Sequence, residues 1–200
     1  MLTEGAVQRT RQELLHDLES SQAQVVRLLE SMSAAQDWQP EAAEWSFRLI
    51  AEHLAALEET WHLRRVTAIA AGNTPQIAHY SHHADDLGAR DLGASLERWI
   101  DARRRLLDFV ATLDDAELDQ VGVHEIVGPM TILETLAEIL EQDQVNLRHI
   151  HQLIVAYYET TAAPQSIRGE PSLLPGMRVR GSQSAGAFYA ANAANHNEAQ

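Results

Sequence analysis

The chain has 200 residues, no cysteine and a formal net charge of −14, a length that suits one domain plus an extension with a sizeable core. The absence of cysteine excludes disulfides, thiolate nucleophiles, and zinc or iron–sulfur sites built on cysteine. All fifteen basic residues are arginine, which excludes a Schiff-base lysine and the lysine of a phosphate-binding P-loop. The acidity argues against nucleic acid and anionic membranes as partners, because both require a basic face.

The N-terminal residues carry no basic flank followed by an apolar run, and no apolar stretch is long enough to span a bilayer. We therefore expect a soluble, cytoplasmic protein without a membrane partner. The one basic run is Arg103-Arg104-Arg105. We interpret it as a solvated helix face that pairs with the nearby Asp101 and Asp108.

Apolar residues at helical spacing predict four long helices. The first covers about residues 3–33 and the second about residues 41–71, each followed by a proline-containing turn. The third helix carries the apolar stripe of residues 92–113. The fourth is expected to begin at Pro129, since proline is favoured in the first turn of a helix.

Two longer connections, at residues 76–90 and 114–128, separate these helices, and the second is predicted to be irregular or briefly extended. Amphipathic helices of this length bury their apolar faces against one another. The predicted fold is therefore all-α, a four-helix bundle over residues 1–158. Residues 159–200 are rich in Gly, Ser, Ala and Asn and form an irregular or flexible arm, or alternatively an arm that packs on the bundle or on a second subunit.

Several polar side chains fall inside or beside the apolar stripes, where burial is costly unless they are paired, ligate a metal or line a pocket. His53 lies near the centre of the inward face of the second helix, and Asp143 projects within the apolar arc of the fourth. The predicted polar patch comprises His53, Trp45, Gln142, Asp143, Asn146 and His149. It is either a buried network in which Asp143 and Asn146 satisfy His53 or a functional pocket.

Histidines outside this patch are weaker candidates. His79, His82 and His83 form a loop cluster whose spacing is unspecific for a metal, so a solvated loop is the preferred interpretation. His124 precedes the fourth helix and is expected to lean toward the mouth of the bundle.

Four segments carry a family resemblance. They are Trp-Gln-Pro at 38–40, Glu-Trp-Ser-Phe-Arg at 44–48 leading into Glu-His-Leu at 52–54, Gly-Pro-Met-Thr-Ile-Leu at 128–133, and Gln-Asp-Gln-Val-Asn-Leu-Arg-His-Ile at 142–150. On these segments, about the first 155 residues resemble the DinB-like (DinB/YfiT) superfamily of bacterial four-helix bundles.

The resemblance implies a nickel or zinc ion held by one histidine on the second helix and by two histidines four residues apart on the last helix, with open positions for a water or a thiol. His53 matches the first ligand. Gln142 and Asn146 occupy the other two places, and amides are weak ligands for these metals. The metal site is therefore predicted to be lost or greatly weakened.

The first prediction is thus a DinB-like protein with a degenerate metal site and no resident cofactor, which does not perform the family's metal-dependent chemistry and instead binds a small ligand or serves a stress-related role. Its catalytic residues, if any, stay unassigned. One alternative is a metal-dependent thiol S-transferase or hydrolase, whose shifted ion is held by His53 and Asp143 with His149 or His124. Another is a homodimeric interaction protein whose arm clasps a second subunit, in which case deletion beyond Thr160 would dissociate the dimer.

Overall fold

A computed structural model describes residues 9–41, 44–77 and 90–162. Its long helical segments confirm the predicted four-helix bundle, although the second one contains a π-helical turn. In chain order the helical elements are α1 (Arg11–Ser31), a 3₁₀ turn (Ser33–Ala35), α2 (Phe47–Leu57), the π turn (Glu58–His62), α3 (Leu63–Ala70), α4 (Leu92–Thr112), the short α5 (Asp115–Leu118) and α6 (Ile132–Ala162). No helix in these ranges is long and apolar enough to cross a membrane.

Side-chain caps set the starts of three long helices. The side chains of Thr10, Ser46 and Asp91 each accept a hydrogen bond from a backbone N–H in the first turn of α1, α2 and α4. Such caps satisfy amides that have no partner inside the helix. The second helix therefore begins at Phe47, after the Ser46 cap, and the predicted start near residue 41 is wrong.

The predicted start of the last helix at Pro129 is also wrong. Pro129 lies in a strand, and the first turn of α6 is capped instead by Thr131, whose hydroxyl accepts from the backbone N–H of Glu134 at 3.2 Å. The Glu134 carboxylate in turn accepts from the backbone N–H of Thr131 at 2.7 Å. This reciprocal pair is a capping box, and it stabilises a start at Ile132.

A small sheet occupies part of the connections. Its strands are β1 (Gln76–Ile77), β2 (Val121–His124) and β3 (Gly128–Thr131), in the order β1-β2-β3. The pair β1–β2 is parallel and the pair β2–β3 is antiparallel. The predicted extended piece before the last helix is therefore present as β2.

The last helix runs past the predicted end of the bundle. Helix α6 continues to Ala162, so it extends beyond the predicted boundary at residue 158. The rest of the predicted arm, residues 163–200, lies outside the described residues, as do the loop histidines His79, His82 and His83.

The apolar core is divided into two clusters along the bundle axis. The first core cluster includes Leu14, Leu18, Val66, Ile69, Leu106, Val110, Leu136 and Ile139. The second core cluster includes Val25, Leu29, Phe47, Ile50, Leu54, Leu96, Trp99, Leu147 and Ile150. Each of the four long helical segments contributes residues to both clusters. Every segment therefore also passes through the level that separates the two clusters.

Candidate functional site

His53 lies on α2 with its ring held by an aromatic neighbour. Its side chain is buried, and its imidazole meets the indole of Trp45 edge to face, with ring centroids 4.9 Å apart and an interplanar angle of 78°. Edge-to-face contacts of this kind favour one ring orientation. The predicted neighbourhood of His53 and Trp45 is therefore present.

The predicted polar residues of α6 differ in depth. Asn146 and Asp143 are buried, whereas Gln142 and His149 are half-buried. Burial lowers the pKa of His149, because an imidazolium loses its hydration there. His149 therefore favours its neutral form.

The turns that carry His53 and Asn146 face the same part of the core. Ile50 and Leu54 lie on the turn of His53, Leu147 and Ile150 lie on that of Asn146, and all four apolar side chains belong to the second core cluster. The polar patch therefore borders the second core cluster.

Asp143 has a partner that the sequence did not predict. Its two carboxylate oxygens accept hydrogen bonds from Arg103, at 2.9 Å from Nη1 and 3.2 Å from Nη2. Asp143 is therefore held by a guanidinium on α4. Sequence patterns could not predict this pair, because the two residues lie 40 positions apart on different helices.

Arg103 also corrects the interpretation of the basic run. Arg104 and Arg105 are exposed and pair with Asp101 as predicted, but Arg103 is only 1% exposed and lies inside the bundle. Its position had a signal in the sequence, since it falls on the same helical face as Trp99 and Leu106.

Glu58, which the sequence reasoning overlooked, is the second partner of Arg103. It begins the π turn and accepts from Arg103 Nε at 2.7 Å and Nη2 at 2.8 Å. The Trp99 indole N–H donates to Glu58 at 3.3 Å, and His62 Nδ1 lies 3.3 Å from the same oxygen. π turns are frequent at functional positions and re-aim the side chains that follow them.

The electrostatics of this cluster follow from burial and from the shared guanidinium. Burial alone would raise the pKa of Glu58, but Arg103 and then His62 outweigh it and lower that pKa to about 2. Burial raises the pKa of Asp143, and Arg103 only partly opposes this. Glu58 is therefore the carboxylate that most strongly favours its charged form beside Arg103.

The substitution Glu58→Gln should lower the free energy of unfolding most near neutral pH, and by progressively less as the pH falls. The unfolded chain protonates Glu58 near its ordinary pKa of 4.5, whereas the folded chain keeps it charged down to about 2. The stabilisation from Glu58 is therefore fully present above pH 4.5 and is lost as the pH falls toward 2. Urea unfolding of wild type and variant across this range measures the difference.

The matched control is Glu59→Gln, because Glu59 is the adjacent, half-buried residue that pairs with Arg98 and Arg105. Partly exposed ion pairs contribute little to stability. A cost for Glu58→Gln that stays constant between pH 5 and pH 2 would contradict the assigned pKa shift.

The residues present do not fit the metal that the resemblance implies. Of the three positions that the resemblance assigns to metal ligands, one holds an imidazole, that of His53. The carboxylate of Asp143 is paired with Arg103. His124 is turned toward the hairpin, where its Nδ1 accepts from the backbone N–H groups of Ile126 and Val127 at 3.2 Å. Across residues 9–41, 44–77 and 90–162, no three His, Asp or Glu side chains are grouped so that they could hold a metal ion.

Two surface grooves lie on another face of the bundle. A groove of about 560 Å³ follows α1 and α6 past Ser20 and Gln144, and a smaller one of about 160 Å³ lies beside Leu28 and His151. Neither is lined by any of the six residues of the predicted polar patch. These grooves are thus separate from the His53 region.

Comparisons with known proteins agree with the fold. Residues 7–150 match the family model of the DinB superfamily. The chain is similar to the solved structure of YfiT from Bacillus subtilis, described as a probable metal-dependent hydrolase with an unusual four-helix bundle topology, at 18% identity and a TM-score of 0.62 over 81% of this chain and 93% of that one. No curated protein matches the sequence. Because the family model spans most of the bundle, the chain belongs to the DinB superfamily.

Proposed function

We propose that this chain is a DinB-superfamily protein that no longer uses a metal centre and acts as a non-catalytic, small-ligand-binding protein. The observation that carries this proposal is the commitment of Asp143 to Arg103. Because that carboxylate is paired, the groups at the positions that the resemblance assigns to metal ligands are His53 and two amides, Gln142 and Asn146. Amide oxygens bind nickel and zinc weakly.

The chemistry of the remaining patch favours an uncharged ligand. Asn146 and Gln142 each offer amide donors and an acceptor, and burial keeps His149 toward its neutral form. The nearest carboxylate along α6, that of Asp143, is balanced by Arg103. A small neutral molecule with both donor and acceptor groups would match this set, with Trp45 as an apolar wall.

The rival proposal is a metal-dependent hydrolase or thiol S-transferase. YfiT is described as a probable metal-dependent hydrolase, but a likeness at 18% identity concerns the fold. The rival requires tight, near-stoichiometric metal, which separates it sharply from a binding protein.

Metal analysis of the purified, untagged protein tests the proposal. We expect no nickel, zinc or manganese above background, and weak affinities in titration that His53→Ala leaves unchanged. His16→Ala, on the exposed face of α1, is the matched control for adventitious binding to surface histidines. Near-stoichiometric metal that is lost in His53→Ala and retained in His16→Ala would establish the rival instead.

The same two variants serve for ligands. Thermal-shift screening with neutral amides, lactams and nucleobases, followed by calorimetric titration of any hit, should give binding that His53→Ala weakens and His16→Ala preserves. Hits that bind both variants equally would place the ligand site elsewhere, for example in the groove between α1 and α6. A stress-related role stays a prediction from the sequence.

Homodimerisation also stays a prediction from the sequence. Helix α6 is described as far as Ala162, so a chain truncated after that residue keeps all of its described turns and removes most of the arm. If the arm clasps a second subunit, light scattering should give a dimer for the full chain and a monomer for the truncated one. A truncated dimer would exclude the arm as the contact.

A further inference from the structure

A layer of polar side chains crosses the core between the two apolar clusters. Its members, here called the polar layer, are Ser21, Glu58, His62, Arg103 and Asp143, and every one of them is buried. They come from α1, the π turn, α4 and α6. Each of the four long helical segments therefore contributes at least one polar residue at the same level.

Arg103 connects these helices through its single guanidinium group. Its nitrogens donate to Glu58 on the π turn, to Asp143 on α6 and, at 3.4 Å, to the backbone carbonyl oxygen of Leu18 on α1. Its guanidinium also lies 5.5 Å from the centre of the Trp99 ring on its own helix. One side chain thus contacts every other helical segment of the bundle.

Net stabilisation is a poor explanation for such a layer. Removing charges from water is costly, and hydrophobic replacement of a complete buried ion network is often neutral or stabilising. Here two well-packed apolar clusters flank the layer on either side. Apolar residues at these positions would join them into one continuous core.

The layer instead restricts the axial position of the helices. A planar guanidinium meets two carboxylates through two-pronged contacts at only one relative height. A slip of one helical turn, about 5.4 Å, would break these contacts, whereas clusters of leucine, isoleucine and valine tolerate rearrangement far better. A buried polar group that specifies register is the best-attested use of such residues.

The register set by this layer reaches the polar patch directly. Asp143 follows Gln142 and lies one turn before Asn146 on α6, and Glu58 opens the π turn at the end of the helix that carries His53. We propose that Arg103 is a positioning residue, which fixes the relative height of His53 and Asn146, and that the polar layer as a whole adds no net stability. The relevance of these two residues rests on the proposed function, but their register does not depend on any ligand.

The test is the apolar triple variant Glu58→Leu, Arg103→Met and Asp143→Leu, observed by NMR without ligand. We expect cooperative unfolding with a midpoint no lower than that of wild type. We also expect split or broadened signals from the Trp45 indole N–H and the His53 imidazole, whereas wild type should give a single sharp signal for each. The control changes the neighbouring residues Glu59, Arg104 and Gln144 to Leu, Met and Leu, and should keep the wild-type signals.

A second variant, Arg103→Lys, keeps the charge but not the two-pronged geometry and should also broaden the Trp45 and His53 signals. Single, sharp, wild-type signals in the apolar triple variant would overturn the proposal, and so would failure of that variant to fold, since the layer would then be needed for stability. Discovery of a resident metal would overturn the proposed function and leave these spectra as an independent result.

Discussion

Arg103→Met is expected to lower the free energy of unfolding by roughly 3–5 kcal/mol, the usual cost of removing one partner from a buried ion network. The change leaves Glu58 and Asp143 buried with no guanidinium between them. Burial would then raise the pKa of both carboxyl groups, so the variant should regain part of its stability as the pH is lowered. Urea unfolding followed by circular dichroism, at pH 7 and pH 5, measures both effects.

The adjacent residue provides a control with the same substitution. Arg104→Met removes an exposed arginine that pairs with Asp101 on the helix surface, and such pairs contribute about 0–1 kcal/mol. The loss of unfolding free energy should therefore be several-fold larger for Arg103→Met than for Arg104→Met. Equal, small costs at both positions would show that Arg103 is not the buried centre of a charged layer.

The sequence predicted the bundle well because its main signal is local. Apolar residues at helical spacing define which face of each helix is buried, and this pattern correctly marked the inward positions of His53 and Asp143. Helix boundaries were less accurate. Pro129 suits a helix start in general, but the Thr131–Glu134 capping box placed the start three residues later.

The partners of the buried polar residues were beyond the sequence. Asp143 and Glu58 meet Arg103 only because three helices pack at one particular register, and no local pattern encodes that register. The run of three arginines also concealed a difference, since one member points inward and two face solvent. The π turn shifts the face of the second helix by one residue, which a regular helical wheel cannot anticipate.

The reverse experiment to metal loss is Gln142→His with Asn146→His, which would restore the histidine spacing that the resemblance implies. With His53, these two side chains would supply three imidazoles, the donor type that nickel and zinc prefer. We expect their affinity to rise by about a hundredfold or more, equivalent to about 3 kcal/mol. Calorimetric titration and the visible spectrum of bound cobalt measure the affinity and the coordination geometry.

A pair of histidines one turn apart on any exposed helix face binds these metals to some extent, so the control must carry the same spacing. Gln144→His with Arg148→His places that pair on exposed positions of α6, away from His53. The inward pair should bind more tightly than this control, and its advantage should vanish when His53→Ala is added. If both pairs bind equally, the turns of His53 and Asn146 do not converge on a common point, and the chain has lost the geometry of a metal centre as well as its ligands. A tight, His53-dependent site would mean that the bundle still holds that geometry, and that exchange of two side chains on α6 accounts for the change in chemistry.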